Sequence, residues 1–268
     1  MKIGFIGTGH ISKSVINGIL GSKLKINKII VSKRNSKISS ELKRKSKKIK
    51  ISADNQDIIN QSNWVFLAVT PTIGKIILPK LKFKKGQTII SFISTIKMTE
   101  LKKYIKVKTK IIRAIPLPPI SLRKGPVPIF PPDKQVRNFF NKLGTSVEIK
   151  NENLSLNFWS TSSMMAPFYE LLQTLSEWLV KKGINRSDSQ KYITSLFIAL
   201  SEDAKINSNK DLKVLVKNSQ TPKGLNEQAV KELRKLGFYK SLNKTANSVL
   251  NRLKTVSYTH LTLPTNGT

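Results

Sequence analysis

Cysteine is missing from all 268 residues, which excludes disulfides, thiolate metal sites and a cysteine nucleophile. Histidine occurs only twice, as His10 and His260, so a histidine-rich metal centre is excluded too and no metal is expected. No apolar run reaches the roughly 18 residues that would cross a bilayer. The N-terminal apolar stretch Ile3-Gly4-Phe5-Ile6 is too short for a signal peptide and runs straight into a glycine turn. The expectation is a cytoplasmic protein with no membrane partner.

Acids are scarce beside bases, 15 against 48, giving a formal net charge of +33. Arginine is scarce as well: 8 of the 48 bases are Arg and 40 are Lys. Phosphate and base recognition favours the planar fork of arginine. The densest run, Lys43-Arg44-Lys45-Ser46-Lys47-Lys48-Ile49-Lys50, has no interleaved aromatic on which a base could stack. The charge is therefore read as compositional bias on a solvated face, and no nucleic-acid partner is expected. Lysine also vanishes abruptly near the end. The stretch from Val256 to Thr265 resembles the translation of a sequencing adapter, so residues 256–268 are read as an artefact and left out of the fold, His260 with them.

What is present in the first half is alternation. Apolar strand patterns at 2–6, 28–32, 49–51, 64–69, 88–92 and 110–114 are spaced by helical periodicity at 11–20, 55–61 and 99–104, which implies βαβ units and a mostly parallel sheet. A proline-rich loop (116–132) surrounds a strand at 127–130, and a helix at 133–143 and a strand at 146–149 close this half. From about Asn153 the pattern is helical only: 166–182, 187–204, 210–218, 225–236 and 241–253. The expected fold class is α/β, with two domains: residues 1–152 with a mostly parallel sheet, and an all-α part at 153–255.

The first strand runs into Gly7-Thr8-Gly9-His10-Ile11-Ser12 and then a helix. This is the G-x-G-x-x-small fingerprint of a Rossmann-type dinucleotide site: Gly7 permits the tight turn, and Gly9 lets the backbone approach a pyrophosphate seated on the helix N-terminus. Between an opening strand and a helix the motif becomes specific. His10 and Ile11 belong to this turn, where a phosphate-side contact suits His10 better than acid–base work. An NAD site would carry an acid about 20 residues on, at the end of the second strand. Ser32-Lys33-Arg34 stands there instead. A hydroxyl and two cations suit a 2′-phosphate, so Ser32 and Arg34 are candidate ligands, NADP(H) the expected cofactor and NAD(H) the lesser alternative.

Several segments, in order, resemble the pyrroline-5-carboxylate reductase family over residues 2–253. The glycine turn is similar to that family's, with His10-Ile11 where Asn-Met is common. Asp54-Asn55 followed by Trp64-Val65-Phe66-Leu67-Ala68-Val69-Thr70-Pro71 resembles its D-N … V-x-L-A-V-K-P pattern, which implies that Asn55, Ala68, Val69 and Pro71 line the cofactor. Ser94-Thr95 stands where Ala-Gly is usual. Arg113-Ala114-Ile115-Pro116 resembles R-x-M-P, with Leu117 where Asn is expected. In the helical half, Pro167-Phe168-Tyr169 is similar to the Pro-Ala-Tyr opening the family's long dimerisation helix, and Gly237-Phe238 to the Gly-Phe before its terminal helix. Thr221-Pro222-Lys223-Gly224-Leu225-Asn226 stands at its Ser-Pro-Gly-Gly-Thr-Thr substrate loop.

The resemblance implies hydride transfer from NADPH to the C=N bond of 1-pyrroline-5-carboxylate, giving L-proline, by a homodimer or higher homo-oligomer acting on a small imino acid. It implies substrate contacts at Thr221 and Asn226, the positions offered for catalysis, and at Ser163, Met164, Met165, Gly224 and Leu225. The departures lie here. Ser162-Ser163-Met164-Met165-Ala166 replaces a Ser-Gly-Ser-Gly stretch, and Leu225-Asn226 replaces two Thr, so the pocket is expected to be bulkier and more apolar. Two alternatives follow: a reductase of another cyclic imine, and a non-catalytic NADP-binding dimer. Trp178 and the Leu172, Leu175 and Leu179 stripe fit a dimer face or a helix packed within its own chain.

Overall fold

Strand-length apolar runs separated by helices give the first half a sheet with helices on both faces. The computed structural model describes residues 1–259, with side chains to residue 255; the expectation for the tail falls outside the described residues beyond 259 and on undescribed side chains before that. The chain divides into two compact units, Met1–Ser155 and Leu156–Thr268, against an expected division at 152/153.

The first unit runs β1 (Lys2–Ile6), α1 (His10–Leu20), β2 (Lys28–Ser32), α2 (Ser36–Lys45), β3 (Ile49–Ser52), α3 (Asn55–Gln61), β4 (Trp64–Leu67), α4 (Pro71–Ile77), β5 (Thr88–Ser91), α5 (Met98–Tyr104), β6 (Lys110–Ala114), β7 (Pro126–Phe130), α6 (Lys134–Phe140) and β8 (Thr145–Glu148). The strands form one sheet in the order β3-β2-β1-β4-β5-β6-β7-β8. All neighbours pair in parallel except β6 and β7. The first six strands follow the order of doubly wound, Rossmann-type sheets, in which ligands bind beyond the carboxyl ends of the strands where the order reverses. Here the reversal lies between β1 and β4.

Side-chain alternation along each strand sorts the core into two clusters. Ile3, Phe5, Val31 and Phe66 join α1, α2 and α6 through Ile16, Leu42 and Phe140. Ile6, Ile30, Val65 and Leu67 join α3 and α5 through Ile58, Ile59 and Leu101. Phe5 stacks on Phe66 with ring centroids 4.6 Å apart, across the strand pair that carries the glycine turn.

Three helices were not expected from the sequence. In α2, Ile38 and Leu42 are the buried apolar positions in a lysine-rich segment, and Asn35 caps it by accepting from Ile38 N. In α4, Thr70-Pro71 is a start where a strand stop was expected; proline at the first helical position gives up only an amide with no intrahelical partner. The third is α7 (Ser155–Ser162). Correspondingly, β4 ends at Leu67, not Val69.

The second unit continues from α7 with α8 (Met165–Lys181), α9 (Arg186–Ile206), α10 (Leu212–Asn218), α11 (Leu225–Lys235) and α12 (Phe238–Thr259), the last longer at both ends than expected. Phe168 of α8 meets Phe197 of α9 edge to face at 6.0 Å. Its interior is thin. Of the described residues of this unit, Ile193 is the one buried apolar side chain. Of the 22 large apolar side chains left exposed among the described residues, all but Ile76, Leu122 and Leu154 belong to it. No helix among the described residues is long and apolar enough to cross a membrane.

Candidate functional site

β1 and β4 end side by side, and the turns that leave them bound a cleft of about 460 Å³. Its lining is Gly7, Thr8 and Gly9 from the first turn, Arg34, Asn35, Ser36 and Lys37 from the β2–α2 turn, and Ala68, Val69, Thr70 and Ile73 beyond β4. Three separate strand ends thus converge, two of them flanking the sheet's reversal point.

The glycine turn is locked. Gly7 has φ +95°, a region that L side chains rarely adopt, and a Cβ placed there would come within 2.4 Å of the Ala68 carbonyl oxygen. Ser12 Oγ donates to the Gly7 carbonyl at 2.6 Å, so the small third residue of the fingerprint closes the turn. Gly9 is the N-cap of α1 and no side chain caps that helix, leaving its first-turn amides available to an anion. A Cβ at Gly9 would meet nothing within 4 Å. It would stand in the open cleft. Bare amides, positive helix end and open space above Gly9 fit a bound pyrophosphate.

From the β2–α2 turn, Arg34 and Lys37 line the same cleft and are exposed, and no carboxylate lines the wall. That fits a 2′-phosphate and leaves a diol without the acid that would hold it. Ser32 is buried and sits inside the wall. Its Oγ accepts from Gly7 N at 3.2 Å and stands 3.0 Å from Thr8 Oγ1. Ser32, expected as a phosphate ligand, thus meets the glycine turn through its hydroxyl and is not part of the cleft lining.

Of the cofactor-side residues expected from the sequence, the cleft brings together Gly7, Gly9, Arg34, Ala68 and Val69. His10 and Ile11 occupy the first turn of α1, Asn55 opens α3 after the cap Asp54, and Pro71 opens α4; these four are not part of its lining. Sequence reasoning missed Thr8, Asn35, Ser36, Lys37, Thr70 and Ile73. Most of these belong to α2 and α4 or their caps, helices that went unread.

The substrate-side expectations fall in two places within the second unit. Ser163, Met164 and Met165 form the α7–α8 junction, where Ser163 Oγ donates to Ser160 O at 2.6 Å. Met164 lines an apolar cavity of about 580 Å³ with Pro167, Phe168, Leu171, Phe238 and Leu242. Thr221, Gly224, Leu225 and Asn226 form the loop into α11. Gly224 N donates to Thr221 O at 2.8 Å, and Asn226 Nδ2 donates to Ser219 O at 2.9 Å, so Asn226 closes the loop. Leu225 is 84% exposed. Lys223 adopts φ +61°, and its amide donates to Glu227 Oε2 at 2.7 Å. The cation of Lys231 and this amide hold the Glu227 carboxyl below its ordinary value.

Within the first unit, Arg113 on β6 is 3% exposed. Its guanidinium donates to the Glu152 carboxylate and to the Ser94 carbonyl. Glu152 also accepts from Met98 N at 2.8 Å. Burial pulls the guanidinium below its usual value, and the Glu152 charge opposes that shift.

A family model described as NADP oxidoreductase, coenzyme F420-dependent, matches residues 2–95. One described as pyrroline-5-carboxylate reductase dimerisation matches residues 156–256. Pyrroline-5-carboxylate reductase 3 of Danio rerio is 30% identical over 128 residues, 47% of this chain and 44% of that protein. Pyrroline-5-carboxylate reductase 2 of Bacillus subtilis is 22% identical over 251 residues, 90% of each chain. Among solved structures, Plasmodium falciparum pyrroline carboxylate reductase with NADP bound superposes with a TM-score of 0.80 at 19% identity, over 96% of this chain and 98% of that one.

Proposed function

We infer that this chain, which belongs to the pyrroline-5-carboxylate reductase family as a divergent member, reduces the C=N bond of 1-pyrroline-5-carboxylate with NADPH and forms L-proline. The observation that carries the reading is the cleft at the β1–β4 reversal, which brings together a helix terminus bare of side-chain caps and the cations of Arg34 and Lys37. The matching dimerisation segment in the helical half supports it.

When bound, NADPH supplies the hydride that adds to the imine carbon. The chain's own part is to seat and orient. The amides of the α1 first turn meet the pyrophosphate charge, Gly9 clears the approach, and Arg34 with Lys37 takes the 2′-phosphate. A protonated imine is already electrophilic, so no strong side-chain acid is required. Thr221 and the amides around Gly224 are offered for the substrate carboxylate, with Met164 and Leu225 as apolar wall. The same reading puts the enzyme in the cytoplasm, with its reductant.

The test is oxidation of NADPH on adding 1-pyrroline-5-carboxylate. Turnover is expected. Turnover with other cyclic imines alone would move the reading to a different substrate, which the bulk of Leu225 and Met164 favours as the second choice. Tight NADPH binding without turnover on any imine would make the protein a non-catalytic binder. Arg34→Ala should cut the preference for NADPH over NADH by about 10- to 100-fold, the worth of one charge-assisted phosphate contact; an unchanged ratio in paired titrations would remove Arg34 from the site.

The homodimer is part of the proposal, supported by the apolar surface of α8–α12, including Trp178 at 57% exposure, an area of the kind that marks an interface. Sedimentation should give at least twice the 30.1 kDa of the chain. A stable monomer would overturn it.

A further inference from the structure

Two buried hydroxyls join the two halves of the cofactor cleft. Thr8 is 2% exposed and Ser32 is 6% exposed. Thr8 Oγ1 donates to the Ser32 carbonyl at 2.8 Å, an assignment without ambiguity because a carbonyl only accepts. The 3.0 Å contact between the two hydroxyl oxygens must then use the Ser32 proton, with Thr8 Oγ1 accepting. A serine hydroxyl owns one proton. Ser32 Oγ meanwhile accepts from Gly7 N at 3.2 Å. The proton is engaged and one lone pair is filled, so Ser32 could donate to a phosphate oxygen only by giving up its contact with Thr8.

We propose that Thr8 and Ser32 are positioning residues that clasp the β2 end to the glycine turn, and that selection of the 2′-phosphate rests on Arg34 and Lys37 without Ser32. The inference rests on reading the cleft as a dinucleotide site. The clasp holds the pyrophosphate-side backbone and the β2–α2 turn, which bears both cations, at one fixed spacing. A dinucleotide bridges that spacing whether or not it carries the extra phosphate. Loss of the clasp therefore weakens both cofactors together, whereas loss of a phosphate ligand weakens one.

The experiment is equilibrium titration of the full chain with NADPH and with NADH, followed by cofactor fluorescence. Ser32→Ala and Thr8→Val should weaken both cofactors by a similar factor, on the order of tenfold, the scale of one lost buried hydrogen bond. The NADPH/NADH ratio should stay put. Thr8→Ser keeps the hydroxyl and should restore wild-type binding, which general destabilisation would not explain. Lys37→Ala should weaken NADPH alone. A Ser32→Ala protein that loses NADPH affinity selectively would overturn the proposal and make Ser32 a phosphate ligand. Unchanged binding of both cofactors in Ser32→Ala and Thr8→Val would overturn it as well. Should Ser32→Ala fail to fold, the Thr8→Val and Thr8→Ser pair carries the same comparison. If the wild-type chain binds neither dinucleotide, the reading of the cleft itself falls, a result distinct from any of these.

Discussion

Gly7→Ala is expected to abolish tight NADPH binding and to lower the melting temperature, whereas Gly9→Ala is expected to weaken binding and leave the melting temperature alone. The two glycines lie two residues apart in one motif, but their surroundings are opposite. A Cβ at Gly7 would lie 2.4 Å from the Ala68 carbonyl oxygen and 2.8 Å from Val69 Cγ1, on a residue held at φ +95°. Backbone strain of that kind costs about 1–3 kcal/mol before any collision is counted. The carbonyl cannot simply retreat, because Ala68 N is bonded to Ile6 O at 2.8 Å in continuation of the β1–β4 ladder. The turn must shift, and its bonds to Ser32 and Ser12 go with it. A Cβ at Gly9 meets no protein atom within 4 Å; it occupies space where a pyrophosphate would lie. A thermal melt beside a fluorescence titration separates the two. Wild-type affinity in Gly7→Ala would show that the turn is not the cofactor's seat.

Arg113→Met should destabilise the protein by about 3–5 kcal/mol, the cost of stranding one member of a buried ion pair. That is a large part of the roughly 5–15 kcal/mol that holds an ordinary protein folded. Glu152 would keep its bond from Met98 N but lose its counter-charge, and the Ser94 carbonyl would lose its donor. Arg113→Met combined with Glu152→Leu removes both charges and should recover much of the loss, since a buried pair replaced by apolar side chains is often close to neutral. Urea unfolding of the single and double variants measures the coupling. If the single variant unfolds at the wild-type midpoint, the pair is not holding β6 to the end of the first unit.

The sequence exposed the cofactor end of the molecule because its signals are local there. Gly7, Gly9 and the flanking strand and helix lie within one short segment, and the apolar blocks Ile29–Val31 and Trp64–Leu67 leave little choice but strand. What stayed hidden required partners far apart in the chain. Ser32 looked like a phosphate ligand by position; its commitment to Gly7 and Thr8 is a bond across 24 or 25 residues. Lys37, Thr70 and Ile73 were missed because α2 offers two buried apolar positions among lysines, and because Thr70-Pro71 serves equally as strand stop and helix start. Helix α7 went unread, since its sequence Ser-Leu-Asn-Phe-Trp-Ser-Thr-Ser is poor in strong helix formers. On the substrate side the family resemblance named the loop at 221–226. It could not foresee that Asn226 ties that loop to Ser219.

The thin interior of the helical half has a consequence for how the protein is made. With Ile193 as its one buried apolar side chain among the described residues, this half gains little by closing on itself, and most of its apolar surface is still to be covered when its helices have formed. In the proposed homodimer, folding and assembly would be a single equilibrium, governed by mass action. Newly made chains at low copy number would spend longer as sticky, half-finished bodies, and the abundance of the protein becomes one of the terms that sets its stability.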